Sequence, residues 1–224
     1  MKSAYSELPS TDAGKVATPP AGRGKLITFE GIDGSGKSTQ ARLLADALRL
    51  LDIPVLLTAE PSHGPIGRKI RRMSARPDPE QELELFTEDR KHHVSRVIEP
   101  ALNNELIVIC DRYVHSSIAY QGAQGIDPER IRLLNESFAV PPDRVFLLRI
   151  PVESALERIT VGRAQGCSIF ELRESLQRVS DIYNRLDDRN ITAIDGARPR
   201  ESIHEEILRE TLVLSGYNAL LRRK

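Results

Sequence analysis

Gly31-Ile32-Asp33-Gly34-Ser35-Gly36-Lys37-Ser38 has the composition and spacing of a phosphate-binding loop, and Thr39 continues it. Gly31, Gly34 and Gly36 let the backbone fold tightly and turn its N–H groups inward. Just before the loop, Leu26-Ile27-Thr28-Phe29 is a short apolar run of the kind buried in a parallel sheet. Just after it, Ala41, Leu43, Leu44, Ala47, Leu48 and Leu51 recur at helical spacing. A helix starting near Lys37 aims its positive end at whatever the loop holds. In that setting the Lys37 ammonium reaches the β- and γ-phosphates of ATP, and the Ser38 hydroxyl serves Mg²⁺. The competing reading, a glycine-rich turn that happens to contain Lys-Ser, does not require a strand before it and a helix after it. The loop leaves the acceptor open, because GTPases, motors and small-molecule kinases all use one.

Outward from the loop, apolar runs alternate with helical patterns. Pro54–Ala59, Leu106–Cys110, Arg144–Ile150 and Ile191–Ile194 read as further strands. Helical signals cover 66–73, a longer stretch from Pro79 to about Asn103, then 114–120, 128–138, 153–158, 171–186 and 201–214. The alternation predicts an α/β fold of the P-loop NTPase kind, with a five-stranded parallel sheet covered by helices on both faces. In such sheets ligands bind beyond the carboxyl ends of the strands, where Gly31, Glu60, Asp111 and Asp195 fall.

The 224 residues suit one domain. We read residues 25–215 as that domain, 216–224 as a C-terminal tail, and 1–24, rich in Ser, Thr, Pro, Gly and Ala, as a disordered extension. Lys+Arg and Asp+Glu are both 32, so bulk charge argues against binding nucleic acid or an anionic membrane. No segment is apolar enough to span a bilayer, and the N-terminus lacks the apolar core of a secretory signal. Cys110 and Cys167 make no disulfide framework or zinc site, and a cytoplasmic location is the simplest expectation. Cys110 reads as a small core residue.

Asp111 follows five apolar residues and emerges from a buried strand beside the loop. It can hold Mg²⁺ or cap the following helix. Arg112 offers a fixed fork of donors suited to phosphate, against the alternative of a surface ion pair.

Asp111-Arg112-Tyr113, with Ser116-Ser117 and Ala119-Tyr120-Gln121-Gly122, resembles the signature of thymidylate kinases. So does Phe29-Glu30 leading into the loop, together with Glu60-Pro61, Gly67, Ile70-Arg71, Phe86, Asp89-Arg90 and Ile194-Asp195. The resemblance covers residues 25 to about 214. It implies a homodimer, a mobile lid, and phosphorylation of dTMP to dTDP by ATP with Mg²⁺. It further implies that Phe86 stacks on thymine, that Arg90, Ser117 and Gln121 read the base, and that Tyr120 packs on the deoxyribose. Asp33 would face the sugar or the acceptor phosphate, Arg71 and Arg112 would clamp that phosphate, and Glu60 would organise the pocket. In this family the charge-stabilising arginine comes from the loop or the lid. Position 34 is Gly, which points to the lid, with Arg163, between Gly162 and Gly166, ahead of Arg158.

The chain departs from the family at Ser62-His63-Gly64, where Gly-Gly-Thr is common, and at the acidic Thr87-Glu88-Asp89. The first departure borders the acceptor site, so a kinase with another nucleotide or nucleoside acceptor is the related alternative. A P-loop ATPase or switch with a protein partner is the alternative from another class. His92 and His93 read as helix-surface residues, His63 as exposed, and the run Glu80–Glu84 as a solvated face.

Overall fold

The computed structural model of the chain describes residues 22–160 and 169–222, and absences and counts below refer to those residues. Five parallel strands form one sheet: β1 (Leu26–Glu30), β2 (Val55–Ala59), β3 (Ile107–Asp111), β4 (Arg144–Arg149) and β5 (Ile191–Asp195), in the order β2-β3-β1-β4-β5. The helices are α1 (Lys37–Leu50), α2 (Pro65–Arg72), α3 (Pro79–His93), α4 (Glu99–Asn103), α5 (Val114–Gly122), α6 (Pro128–Glu136), α7 (Val152–Thr160), α8 (Ile169–Arg185) and α9 (Arg200–Leu214). The segment expected to form the lid, with Gly162, Arg163, Gly166 and Cys167, lies outside the described residues, as do residues 1–21 of the expected extension.

Strand periodicity explains the layering. Ile27 and Phe29 of β1, Ile107 and Ile109 of β3, and Phe146 and Leu148 of β4 point to one face, where Leu44 and Leu48 of α1 and Ile203 and Ile207 of α9 cover them. Their neighbours point the other way. Leu26, Val108 and Cys110 pack with Ile98 and Leu102, and Leu147 packs with Ala155 of α7 and Leu176 and Val179 of α8. Because both faces are covered, the central strands read as unbroken apolar runs.

The stretch expected to be one helix from Pro79 to Asn103 runs through a π-helical segment, Val94–Ile98. Pro100, which has no N–H to donate, sits just beyond it. Asp78 starts α3 by accepting from the amides of Glu80 and Gln81 at 3.1 Å.

The C-terminal segment carries core residues. Tyr217 is 4% exposed, joins the cluster of α1 and α9, and its amide donates to the carbonyl of Leu212 at 2.8 Å. Leu220, in the 3₁₀ helix Asn218–Arg222, packs against the same cluster. Tyr217→Ala should therefore lower the free energy of unfolding by about 3 kcal/mol, read from urea denaturation; a change below about 0.5 kcal/mol would mean the segment is an accessory tail.

Candidate active site

The phosphate-binding loop is confined by its neighbours. Gly31, Gly34 and Gly36 adopt φ of 136°, 80° and 98°. A Cβ on Gly31 would lie 2.4 Å from the carbonyl oxygen of Leu148, and one on Gly34 would lie 2.7 Å from that of Ala155. The loop is thus wedged between the end of β4 and the start of α7 by backbone contacts that do not yield. Ile32 is buried, and its carbonyl accepts from Lys37 Nζ at 2.8 Å, which folds the ammonium back into the loop. Burial, and then the charge of Arg112, push the Lys37 ammonium down to about 7 against the opposing pull of Asp33, Asp111 and Glu30. Gly36 caps α1 with no side-chain bond, so the first-turn amides face the loop. Ser35, Gly36, Lys37, Ser38 and Thr39 line a cavity of about 560 Å³ that continues past Arg158 to Gly196, Arg198 and Arg200.

Ser38 Oγ donates to Asp111 Oδ2, while Asp111 Oδ1 is buried with no partner. A hydroxyl and an unsatisfied carboxylate oxygen side by side are the hard oxygen donors that Mg²⁺ takes, so these residues fit that ion. The helix-capping alternative for Asp111 does not hold, because Tyr113 occupies the N-cap of α5 and makes no side-chain cap. The carboxylate points instead across the sheet end toward α1.

Arg112 has φ of 73°, a left-handed conformation uncommon for a residue with a side chain. Its amide donates to Phe29 at 3.0 Å, and its guanidinium lies 4.8 Å from the ring centre of Tyr120. Nη2 donates to Asp33 Oδ1 at 2.6 Å and to Tyr120 Oη at 3.3 Å, and Nη1 donates to Ser116 at 3.3 Å. The Tyr120 hydroxyl also accepts from the amide of Asp33 at 3.1 Å. Burial would raise the Asp33 carboxyl, but Arg112 and Lys37 outweigh it and hold the group below its usual range.

Asp33 and Arg112 also line a second cavity, of about 260 Å³, with Glu60, Pro61, Arg76, Phe86, Arg90, Tyr113, Ser116, Ser117, Tyr120 and Gln121. Arg90 is 1% exposed and stitches this wall together. It donates to Glu60 at 2.8 Å, Asn135 at 2.9 Å, the carbonyl of Tyr113 at 3.1 Å and Ser117 at 2.9 Å. Glu60 is held from its other side by His93 at 3.2 Å. A phosphate loop on one side and a smaller, partly apolar chamber with an aromatic wall on the other meet at one arginine–aspartate pair.

A sequence profile of the thymidylate kinase family matches residues 29–207. The thymidylate kinase of Desulfotalea psychrophila is 44% identical over 188 residues, 83% of this chain and 93% of that one. That of Brachyspira hyodysenteriae is 43% identical over 188 residues, 83% of this chain and 92% of that one. A probable thymidylate kinase of Archaeoglobus fulgidus is 40% identical over 183 residues, 81% of this chain and 92% of that one. The chain belongs to the thymidylate kinase family.

The residues that the family resemblance singled out fall unevenly on this geometry. Asp33, Glu60, Phe86, Arg90, Arg112, Ser117, Tyr120 and Gln121 line the smaller cavity. Arg71 does not; it is exposed and donates to the carbonyl of Pro61, so it meets the cavity only through that residue. Arg76 lines the cavity in its place. Arg163 lies outside the described residues, while Arg158 donates to the carbonyls of Gly34 at 3.2 Å and Gly196 at 3.3 Å.

Two surface assignments are corrected. His93 is 1% exposed and bonds Thr58 at 2.7 Å as well as Glu60, because α3 lays that residue against β2. Glu82 is 7% exposed, whereas Glu80 pairs with Arg130 in solvent and Glu84 is exposed. Beside Arg90, Asp89 is buried as well and accepts from the amide and hydroxyl of Ser62 at 2.6 Å each. His63 is exposed as expected. Sequence reasoning missed Arg76, Glu82, Arg198 and Arg200; only the basic pair just beyond the last strand carried a signal, its position at a sheet end.

Gly34→Ala should destabilise the chain by about 3 kcal/mol, because it adds a backbone clash to a left-handed conformation. Gly36→Ala, whose Cβ would meet nothing nearer than 3.8 Å, should cost only about 1–2 kcal/mol of conformational strain. Urea midpoints of the two variants check this ordering; equal losses would contradict the wedge at Ala155.

Proposed function

We propose that the chain transfers the γ-phosphoryl group of ATP to dTMP, giving ADP and dTDP. The observation that carries the proposal is the junction at Asp33 and Arg112, which line both the phosphate-loop cavity and the smaller chamber. Family membership supports the acceptor, and the names of the relatives agree with it. On this reading the loop amides and Lys37 bind the β- and γ-phosphates of ATP. Mg²⁺ held by Ser38 and Asp111 would neutralise charge on those phosphates.

Arg112 orients the acceptor phosphate at the junction, with Arg71 reaching the rim through Pro61. Phe86 stacks on the thymine ring, Tyr120 packs on the sugar, and Arg90, Ser117 and Gln121 form the wall that reads the base. An oxygen of the dTMP phosphate attacks the γ-phosphorus and the bond to the β,γ-bridging oxygen breaks, leaving its electron pair on ADP. That oxygen is already anionic near neutral pH, so no general base is required. Catalysis rests on alignment and charge stabilisation. Because Gly34 admits no side chain, an arginine from elsewhere has to meet the developing charge, and we assign this to Arg163.

A homodimer in the cytoplasm is the setting that goes with this reading, and sedimentation velocity tests the assembly. The reading also takes residues 25–215 as the catalytic unit and 1–24 as an extension outside it. No helix among the described residues is long and apolar enough to cross a membrane.

With purified protein, ATP and Mg²⁺, dTMP should be the best acceptor in a panel of nucleotides and nucleosides. Arg163→Ala should lower kcat by about 10²–10³-fold. ADP formation that ignores dTMP but follows another acceptor would overturn the assignment, and ATP turnover without any acceptor would point to an ATPase. A second measurement uses Lys37. With its ammonium near 7 in the free protein, it is mostly neutral at pH 8, and the triphosphate raises it again. Binding should then take up protons at pH 8, and affinity should fall as pH rises above 7. Calorimetry in buffers of different ionisation enthalpy reads this directly; zero uptake would contradict it.

A further inference from the structure

Glu82 on α3 collects three donors. Arg76 Nε approaches its Oε1 at 2.7 Å, while Gln121 Nε2 at 3.2 Å and Gln124 Nε2 at 2.5 Å approach its Oε2. The carboxylate, paired with Arg76, can only accept hydrogen bonds. Gln121 has no such restriction, since its amide has a donor end and an acceptor end that can exchange by a flip about the last side-chain torsion. Facing Glu82, only the NH₂ end forms a bond; the flipped amide would set one acceptor oxygen against another. The consequence is visible at the opposite end. Gln121 is 2% exposed, lines the smaller cavity, and its Oε1 is buried with no partner in the protein.

Glu82 and Phe86 are one turn apart on α3, Ser117 and Gln121 are one turn apart on α5, and Phe86, Ser117 and Gln121 all line that cavity.

We infer that Glu82 is a specificity-positioning residue. It locks the Gln121 amide with its carbonyl free for the base, so that the site accepts a pyrimidine carrying an N3–H and rejects one whose N3 is a lone pair. The inference rests on the reading that Gln121 meets the acceptor base. A carbonyl oxygen pairs with the N3–H of thymine or uracil. Against cytosine, two buried acceptors confront each other, and sites built on such a hydrogen bond reject the unmatched partner strongly. Neither Phe86 stacking nor the shape of the chamber makes this distinction, because all pyrimidines present a similar face. Glu82 therefore touches no substrate and acts through Gln121.

The test compares kcat/KM for dTMP, dUMP, dCMP and N3-methyl-dTMP. The wild-type chain should use dTMP and dUMP and should reject both dCMP and N3-methyl-dTMP by at least about 10³-fold. Wild-type use of dCMP comparable to dTMP would overturn the inference without any variant. Glu82→Gln is isosteric and can donate or accept, so it frees the amide to flip. The dTMP-to-dCMP ratio should then fall on the order of tenfold or more, mostly through KM. Because the ratio is taken on one preparation, any loss of folded protein cancels. Gln121→Leu separates the two readings. If it collapses the ratio while Glu82→Gln leaves it unchanged, Gln121 reads the base but Glu82 does not position it. If Gln121→Leu leaves the ratio unchanged, Gln121 does not read the base, and the inference falls with that reading.

Discussion

The carboxylate of Glu30 ties the molecule together at the point where its chemistry is organised. It is the last residue of the central strand, fully buried, and it accepts from the amide of Tyr113 at 2.8 Å, Ser116 Oγ at 2.6 Å and Tyr183 Oη at 2.9 Å. An unpaired carboxylate in that position would cost several kcal/mol, and three charge-assisted bonds offset the desolvation. They also fix the turn between β3 and α5. Arg112 occupies that turn in a left-handed conformation and would otherwise relax out of it. Ser116 passes the constraint on, because the hydroxyl that donates to Glu30 accepts from Arg112. Tyr183 extends it to α8. The phosphate-binding loop, the arginine turn and α8 thus share one buried anchor.

From that anchor the two cavities follow. Gly31 and Gly34 hold the loop against β4 and α7, which sets where the β- and γ-phosphates lie on the proposed reading. Arg112 and Asp33 close the gap between the loop and the chamber walled by α3 and α5. Glu60, Arg90 and His93 brace that chamber from behind, and Ser62 with Asp89 brace its rim. The chemistry asks for alignment more than for an acid or a base, so most of these residues serve as struts.

The chain as a whole has no net charge, yet Lys37, Arg112, Arg158, Arg198 and Arg200 gather around the larger cavity. Composition reports only the sum of charges. A site for a polyphosphate depends on where the cations stand, and the fold supplies that by bringing the ends of β1, β3 and β5 to one edge of the sheet.

The sequence by itself determined the strands, most helix bounds, the phosphate-binding loop and the family. Those features depend on residues near one another in the chain: apolar periodicity of two or 3.6 residues, glycine spacing, and short blocks such as Asp111-Arg112-Tyr113. Only the tertiary structure decided that Arg90, His93, Glu82 and Asp89 are buried struts, that Arg76 lines the chamber while Arg71 stays at its rim, and that Tyr217 belongs to the core. A charged side chain on a helix reads as solvated unless its partners are known. Here those partners are distant in sequence: Glu82 meets Gln121, Arg90 meets Asn135, and Glu30 meets Tyr183 across almost the whole domain. Local pattern specifies which elements form, but whether a polar group can be buried depends on what the packed elements bring to it.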